Sequence, residues 1–275
     1  MADIQIVDVL GFPVANVDMA ETVAAAAALL EPRANAEQAP GAIDASGSDA
    51  TAADRSAACG ARIVTANAEI LYHSYSDPAL GELLRGADLL VPDGIGVVKA
   101  AAMLGSPVKE RVAGADLLVE LSAWAADNGR SVYLLGASPE SVEGAASALQ
   151  EKYPALSIAG YHDGYFNEEE REDVLRDIQD KRPDFLFIGM GFPAQDIFFA
   201  KHQDRLPVGL MVGVGGTFDA LSGRVRRAPL WIRKLNLEWA YRFAQNPRRL
   251  GRFWALPRFL LAVRRQRNSL TSRPS

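Results

Sequence analysis

Short apolar runs alternate with segments of mixed polarity along most of this chain. Ile63-Val64-Thr65, Ala87-Asp88-Leu89-Leu90-Val91, Val132-Tyr133-Leu134-Leu135, Phe185-Leu186-Phe187-Ile188 and Val208-Gly209-Leu210-Met211-Val212 are nearly continuous in apolar character, the pattern of strands covered on both faces. A shorter strand is predicted at 156–159, and the apolar run 4–14, broken by Gly11-Phe12-Pro13, predicts a first strand or hairpin. Alanine-rich or amphipathic stretches predict helices near 19–30, 67–75, 97–104, 116–127 and 139–152. Ser138 before Pro139 reads as an N-cap with proline at the first helical position, and Asn167 before Glu168, Glu169 and Glu170 as an N-cap with an acidic first turn. Buried strands separated by helices imply a parallel order. The expected fold is therefore α/β: a Rossmann-like, mostly parallel sheet with helices on both faces, followed by a basic helical appendage.

Two segments break the alternation. Residues 31–61 are Ala, Pro, Gly, Ser and Asp with few large apolar groups, which predicts a flexible insertion within an α/β domain spanning 1–223. From 224 to 275 arginines interleave with Trp231, Trp239, Tyr241, Phe243, Phe253, Trp254 and Phe259, which predicts amphipathic helices broken near Pro247 and Pro257.

Charge sharpens that boundary. The net charge of −5 divides into 14 Lys+Arg and one acid, Glu238, in the appendage, against 15 basic and 33 acidic residues before it. A cationic tail on an acidic body calls for an anionic partner, and a membrane surface or diphosphate groups fit better than nucleic acid, whose backbone the body would repel. The alternative is a terminal helical pair packed on the sheet with its arginines in water. An amphipathic tail also leaves room for a homo-oligomer.

One cysteine, Cys59, rules out an internal disulfide and suits a reducing cytoplasm. No basic-then-apolar leader and no spanning run of about 18 apolar residues is present, so neither export nor membrane insertion is expected. His73, His162 and His202 are scattered, and no Asp-x-Asp pair exists to hold a divalent ion; no metal or cofactor is expected.

The polar and glycine-rich turns fall at predicted strand ends: Thr65-Ala66-Asn67, Pro92-Asp93-Gly94, Gly136-Ala137-Ser138, Gly189-Met190-Gly191 and Gly213-Val214-Gly215-Gly216. In a parallel sheet they share one rim, where backbone N–H groups at Gly136, Gly213 and Gly215 can meet a phosphorylated ligand. Asp93 stands on such a turn, either as a working carboxylate or as the cap of the following helix. Gly189-Met190-Gly191-Phe192-Pro193-Ala194 also matches a nicotinamide-binding fingerprint, but the acid expected after the next strand is replaced by Gly213-Val214-Gly215-Gly216.

Thr65-Ala66-Asn67-Ala68-Glu69, Pro92-Asp93-Gly94-Ile95-Gly96, Glu110-Arg111-Val112-Ala113-Gly114, Asp163-Gly164-Tyr165-Phe166, Gly191-Phe192-Pro193-Ala194-Gln195 and Gly213 to Asp219 resemble, in order, the motifs of the WecG/TagA/CpsF glycosyltransferases. Arg226-Arg227-Ala228-Pro229, the 237–242 string and Ala255-Leu256-Pro257-Arg258-Phe259 extend the resemblance into the tail. It implies a metal-independent, inverting transfer of N-acetylmannosamine from a UDP-sugar donor to a polyprenyl-diphosphate-linked N-acetylglucosamine, in wall teichoic acid or related surface-glycan synthesis. Relatives that move other hexoses, such as glucose, leave the donor sugar open. The resemblance assigns the general base to Asp93, pocket roles to Thr65, Asn67, Arg111 and Gln195, and diphosphate contacts to Arg242, Arg249 and Arg252. It implies an enzyme at the inner face of the cell membrane, held there by the appendage. Two features depart from the family: the 31–61 insertion, and Ala66 where proline is common.

Overall fold

The computed structural model describes residues 4–37, 60–225, 228–229, 232, 241 and 254–271. Its centre is an eight-stranded sheet in the order β1-β2-β4-β3-β8-β7-β5-β6. The strands are β1 (Ile6–Val9), β2 (Phe12–Ala15), β3 (Ala61–Ala66), β4 (Leu89–Pro92), β5 (Ser131–Gly136), β6 (Ser157–His162), β7 (Phe185–Gly189) and β8 (Leu210–Gly213). Among the described residues only the β1–β2 hairpin is antiparallel, and every other pairing is parallel.

Side-chain alternation along the inner strands explains why helices cover both faces. Ile63, Val91, Val132, Leu134, Phe185, Phe187 and Val212 point to one face, covered by α1 (Met19–Glu37), α5 (Gly114–Asp127) and α6 (Pro139–Lys152). On the opposite face Val64, Ala66 and Leu90 pack under α2 (Ala68–Ser76), α3 (Pro78–Arg85) and α4 (Ile95–Met103). Beside them Tyr133, Leu135, Leu186, Ile188 and Met211 pack under α7 (Glu168–Lys181) and α8 (Ala194–His202). A short α9 (Thr217–Leu221) follows β8, and α10 (Ala255–Thr271) ends the described chain.

Capping agrees closely with the sequence. Ser138 and Pro139 open α6, and Asn167 opens α7 with a complete capping box, its Oδ1 accepting from Glu169 N and Glu170 N while the Glu170 carboxylate accepts from Asn167 N. Other boundaries moved. The helix expected to end at Leu30 runs on to Glu37, because Ala, Arg and Glu in that stretch form helix well enough to carry it past Pro32. Residues 38–59, the remainder of the predicted insertion before β3, lie outside the described residues. Helix α3 was not expected; Asp77, whose Oδ1 accepts from Ala79 N at 2.9 Å, followed by Pro78, is the same start signal as Ser138-Pro139. The edge strand β6 reaches His162, beyond the expected 159.

Helix α10 packs on α2 and α4. Phe259 and Val263 are fully enclosed there, and each such side chain contributes about 1.5–3 kcal/mol through burial. The Gln266 side chain ties the same helix to the first hairpin: its Oε1 accepts from Leu10 N at 2.9 Å, and its Nε2 donates to Asp8 Oδ1 at 2.6 Å. A Cβ built on Gly96 would meet Leu256 at 2.8 Å and Ala68 at 2.9 Å, so α2, α4 and α10 approach as closely as a glycine allows.

Candidate active site

All strands from β2 to β8 run the same way, so the turns that follow β3 to β8 gather along one edge of the sheet. Chain direction opens a crevice there. β5 connects outward to β6 while its neighbour β7 connects inward to β8, and loops that part in this way leave a binding cleft at the carboxyl ends of the strands.

Three backbone segments meet at that parting. Ala137 N donates to Gly189 O at 3.2 Å, and Gly164 N donates to Ala137 O at 2.9 Å. Gly136 has φ +130°, and Ala137, a non-glycine residue, has φ +58°, so the turn after β5 is held in a conformation that only its surroundings stabilise. The neighbouring Gly191 and Gly215 amides both donate to Gln195 Oε1 at 3.2 Å, which bridges the turns after β7 and β8. A Cβ on Gly213 would strike the Gln195 amide. Tyr165, next to Gly164, is 80% exposed. Asp219 accepts a 2.7 Å hydrogen bond from Ser141, linking α9 to the start of α6. Glu140, beside it, is held below the usual carboxylate range by the Ser138 hydroxyl and by Arg224.

The other half of the rim carries the Thr-x-Asn, Pro-Asp-Gly and Glu-Arg-Val strings. Asp93 N donates to Ala66 O at 2.9 Å, and Val112 N donates to Pro92 O at 2.8 Å, so the strings lie side by side. Asp93 is half-buried and is not the cap of α4: Gly94 holds the N-cap position with φ +83°, and no side chain caps that helix. Asn67 is the cap of α2, its Oδ1 accepting from Glu69 N at 2.9 Å and Ile70 N at 3.0 Å. Thr65 donates through Oγ1 to Gly213 O at 3.1 Å, joining the ends of β3 and β8, and Gly114 is close enough that a Cβ there would press on the same hydroxyl.

The six strings between Thr65 and Asp219 thus lie along one rim of one α/β sheet. Residues 36–273 match the Glycosyl transferase WecG/TagA/CpsF family. The chain belongs to that family. A relative from Staphylococcus aureus (strain MW2), called N-acetylglucosaminyldiphosphoundecaprenol N-acetyl-beta-D-mannosaminyltransferase, is 39% identical over 208 residues, covering 76% of this chain and 81% of its own length. A relative of the same name from Bacillus spizizenii is 37% identical over 204 residues, covering 74% of this chain and 79% of its own.

For this WecG/TagA/CpsF chain, the structure brings Thr65, Asn67, Asp93, Arg111, Gly136, Gln195, Gly213 and Gly215 to the rim. Within that set the geometry separates roles. Thr65 and Gln195 are buried and hydrogen-bond across to neighbouring turns, so they tie those turns together from beneath. Asp93, Asn67 and Arg111 are partly exposed. Arg242, Arg249 and Arg252 lie outside the described residues. Sequence reasoning gave no role to Tyr165 or Asp219, although both stand in motif strings; the available signal was the position of each string directly after a strand. The fingerprint at Gly189 lies at the crevice, but β8 ends at Gly213 without the acid a nicotinamide ribose requires. Among the described residues no three His, Cys, Asp or Glu side chains converge in a metal-holding group.

Proposed function

We propose that this chain transfers N-acetylmannosamine from its UDP donor to undecaprenyl-diphosphate-linked N-acetylglucosamine, forming the linkage unit of a teichoic acid or related surface glycan. The observation that carries the reading is the place of Asp93: a half-buried carboxylate on a rim turn, one residue before the Gly94 N-cap and beside the Thr65-Ala66-Asn67 and Glu110-Arg111-Val112 strings. In an inverting transfer, Asp93 accepts the proton of the acceptor hydroxyl as that oxygen bonds to the anomeric carbon and the bond to UDP breaks on the opposite side. Asn67 keeps its Nδ2 group for a ligand, since the cap uses only Oδ1. Arg111 and the arginines at 242, 249 and 252 supply positive charge where the diphosphate gathers negative charge, and the backbone amides of the glycine turns add donors. In turnover with a short-chain polyprenyl diphosphate-GlcNAc acceptor, UDP-N-acetylmannosamine should be used in preference to UDP-glucose, and UDP should raise the melting temperature while nicotinamide cofactors leave it unchanged. Preference for UDP-glucose would reassign the donor, and stabilisation by a nicotinamide cofactor alone would overturn the reading.

The same proposal places the protein at the inner face of the cell membrane. Helix α10 buries Ala255, Phe259, Ala262 and Val263 and turns Arg258, Leu261, Arg264 and Arg265 to solvent, with Trp254 exposed just before its first residue. Arginine beside exposed Trp and Leu is the chemistry of an anionic lipid surface, and among the described residues no helix is long and apolar enough to cross a bilayer. Each arginine near such a surface contributes about 1 kcal/mol, so Arg258→Ala with Arg265→Ala should weaken binding to phosphatidylglycerol vesicles about tenfold or more. Equal sedimentation of the variant and the parent would remove α10 from the membrane contact.

A further inference from the structure

Below the glycine turns two opposite charges are buried between α3 and α8. Arg62, near the start of β3, places Nη1 3.6 Å from Asp196 Oδ1, with the two side chains 4% and 1% exposed. The Arg62 Nη2 group donates to Leu83 O in the last turn of α3, and Arg62 N donates to Asp88 Oδ2 at 2.7 Å. Nε and Nη1 of Arg62 and both Asp196 oxygens find no hydrogen-bond partner among the described residues. Such a pair is a poor source of stability, because taking both charges out of water costs more than an imperfect contact returns. Burial pushes the Asp196 carboxyl up to about 6 against the pull of Arg62, and burial also lowers the Arg62 guanidinium from its ordinary value.

What the pair can do follows from its neighbour. Asp196 is adjacent to Gln195 in the first turn of α8, a helix of nine residues with no side-chain cap. Backbone bonds tie its start to the preceding turn, Gln195 N donating to Gly191 O at 3.0 Å and Ile197 N to Pro193 O at 2.9 Å, and the side chains of the first turn anchor it to the rest of the fold. The Gln195 Oε1 bonds to Gly191 N and Gly215 N are both 3.2 Å, at the long end of the usual range, so a small rotation breaks them.

We infer that Arg62 and Asp196 are positioning residues for sugar transfer: the buried pair locks the first turn of α8, and so holds Gln195 between the two glycine turns at the floor of the crevice. This inference rests on the transferase reading for its kinetic consequence and on geometry alone for its structural one.

The test replaces both charges by apolar groups of similar size, Arg62→Met with Asp196→Leu. Removing the pair whole leaves no lone buried charge, so the melting temperature should stay within a few degrees of the parent. Hydrogen exchange at the Gly191 and Gly215 amides, measured against a β7 amide such as Phe187 as an internal reference, should rise tenfold or more, and kcat should fall by a similar factor. A double variant with parental protection at both glycines and parental turnover would overturn the inference. Asp196→Asn gives a second arm: it removes the buried partner of Arg62, leaving only the exposed Asp88 nearby, and lowers the melting temperature, and it should also release the two glycine amides. If stability falls while both amides stay protected, the pair only stabilises the fold and the inference fails. A parent enzyme inactive with every UDP-sugar would instead count against the transferase reading, and the exchange result would still stand.

Discussion

In the Asp93→Asn variant, turnover on the lipid-linked acceptor falls by about 10²–10⁴-fold, the range a positioned general base supplies, while UDP still raises the melting temperature. The substitution keeps the shape of the side chain and removes its charge. Because Gly94 holds the N-cap position of α4, the helix loses no cap when Asp93 is neutralised, and the Asp93 N to Ala66 O bond is a backbone contact that survives. Lost activity would therefore report on chemistry, and thermal unfolding is the control that checks it. Turnover within about threefold of the parent would mean that another group takes the acceptor proton.

Gly136→Ala is expected to damage both fold and binding. Position 136 has φ +130°, and a Cβ built there lies 2.5 Å from Gly189 C and 2.9 Å from Gly189 Cα. Strand β7 cannot retreat to make room, because a Cβ on Gly189 would itself lie 2.6 Å from the Phe218 ring: that side of Gly189 is already filled by α9. Backbone strain and overpacking together cost about 2–6 kcal/mol. At about 2–4 °C per kcal/mol for a chain of this size, a fall of roughly 5–20 °C in melting temperature should follow, with weakened UDP binding in whatever fraction folds. A variant that melts with the parent and binds UDP normally would show that the two glycines are not in the contact described.

These expectations draw on features of unequal visibility in the sequence. The buried strands and capped helices are local: Ser138-Pro139 and Asn167 through Glu170 specify helix starts within four residues, and the structure places both as the sequence implies. Helix α3 carried an equivalent Asp77-Pro78 signal and an amphipathic pattern, but its eight residues make little more than two turns, short beside its neighbours. The end of α1 was misplaced because composition marks a segment as poor in core residues without marking where helix propensity gives out.

The site was legible as a list of turns and only partly as a set of roles. Asp93 was open between cap and carboxylate until Gly94 was seen to occupy the cap position, a matter of one residue that depends on φ. Thr65 and Gln195 were expected in the pocket; their partners Gly213 and Gly215 are remote in sequence, so nothing local reveals that their side chains bridge turns from below. The Arg62–Asp196 pair is invisible for the same reason, since charged residues in a sequence read as surface until the packing around them is known.

Helix α10 has one more consequence, which concerns time. Among the described elements it comes last in the chain, yet the surface it covers belongs to helices that begin at residues 68 and 95, directly after the turns holding Asn67 and Asp93. While the ribosome is still adding the appendage, the half of the sheet that carries those turns has an uncovered apolar flank, and the first hairpin lacks its Gln266 clasp. The turns after β5, β7 and β8 are joined by bonds among residues 136–215, all made before α10. A chain made only as far as α9 therefore has every strand of the sheet, and the flank of α2 and α4 beside the turns of Asn67 and Asp93 is covered only once α10 docks.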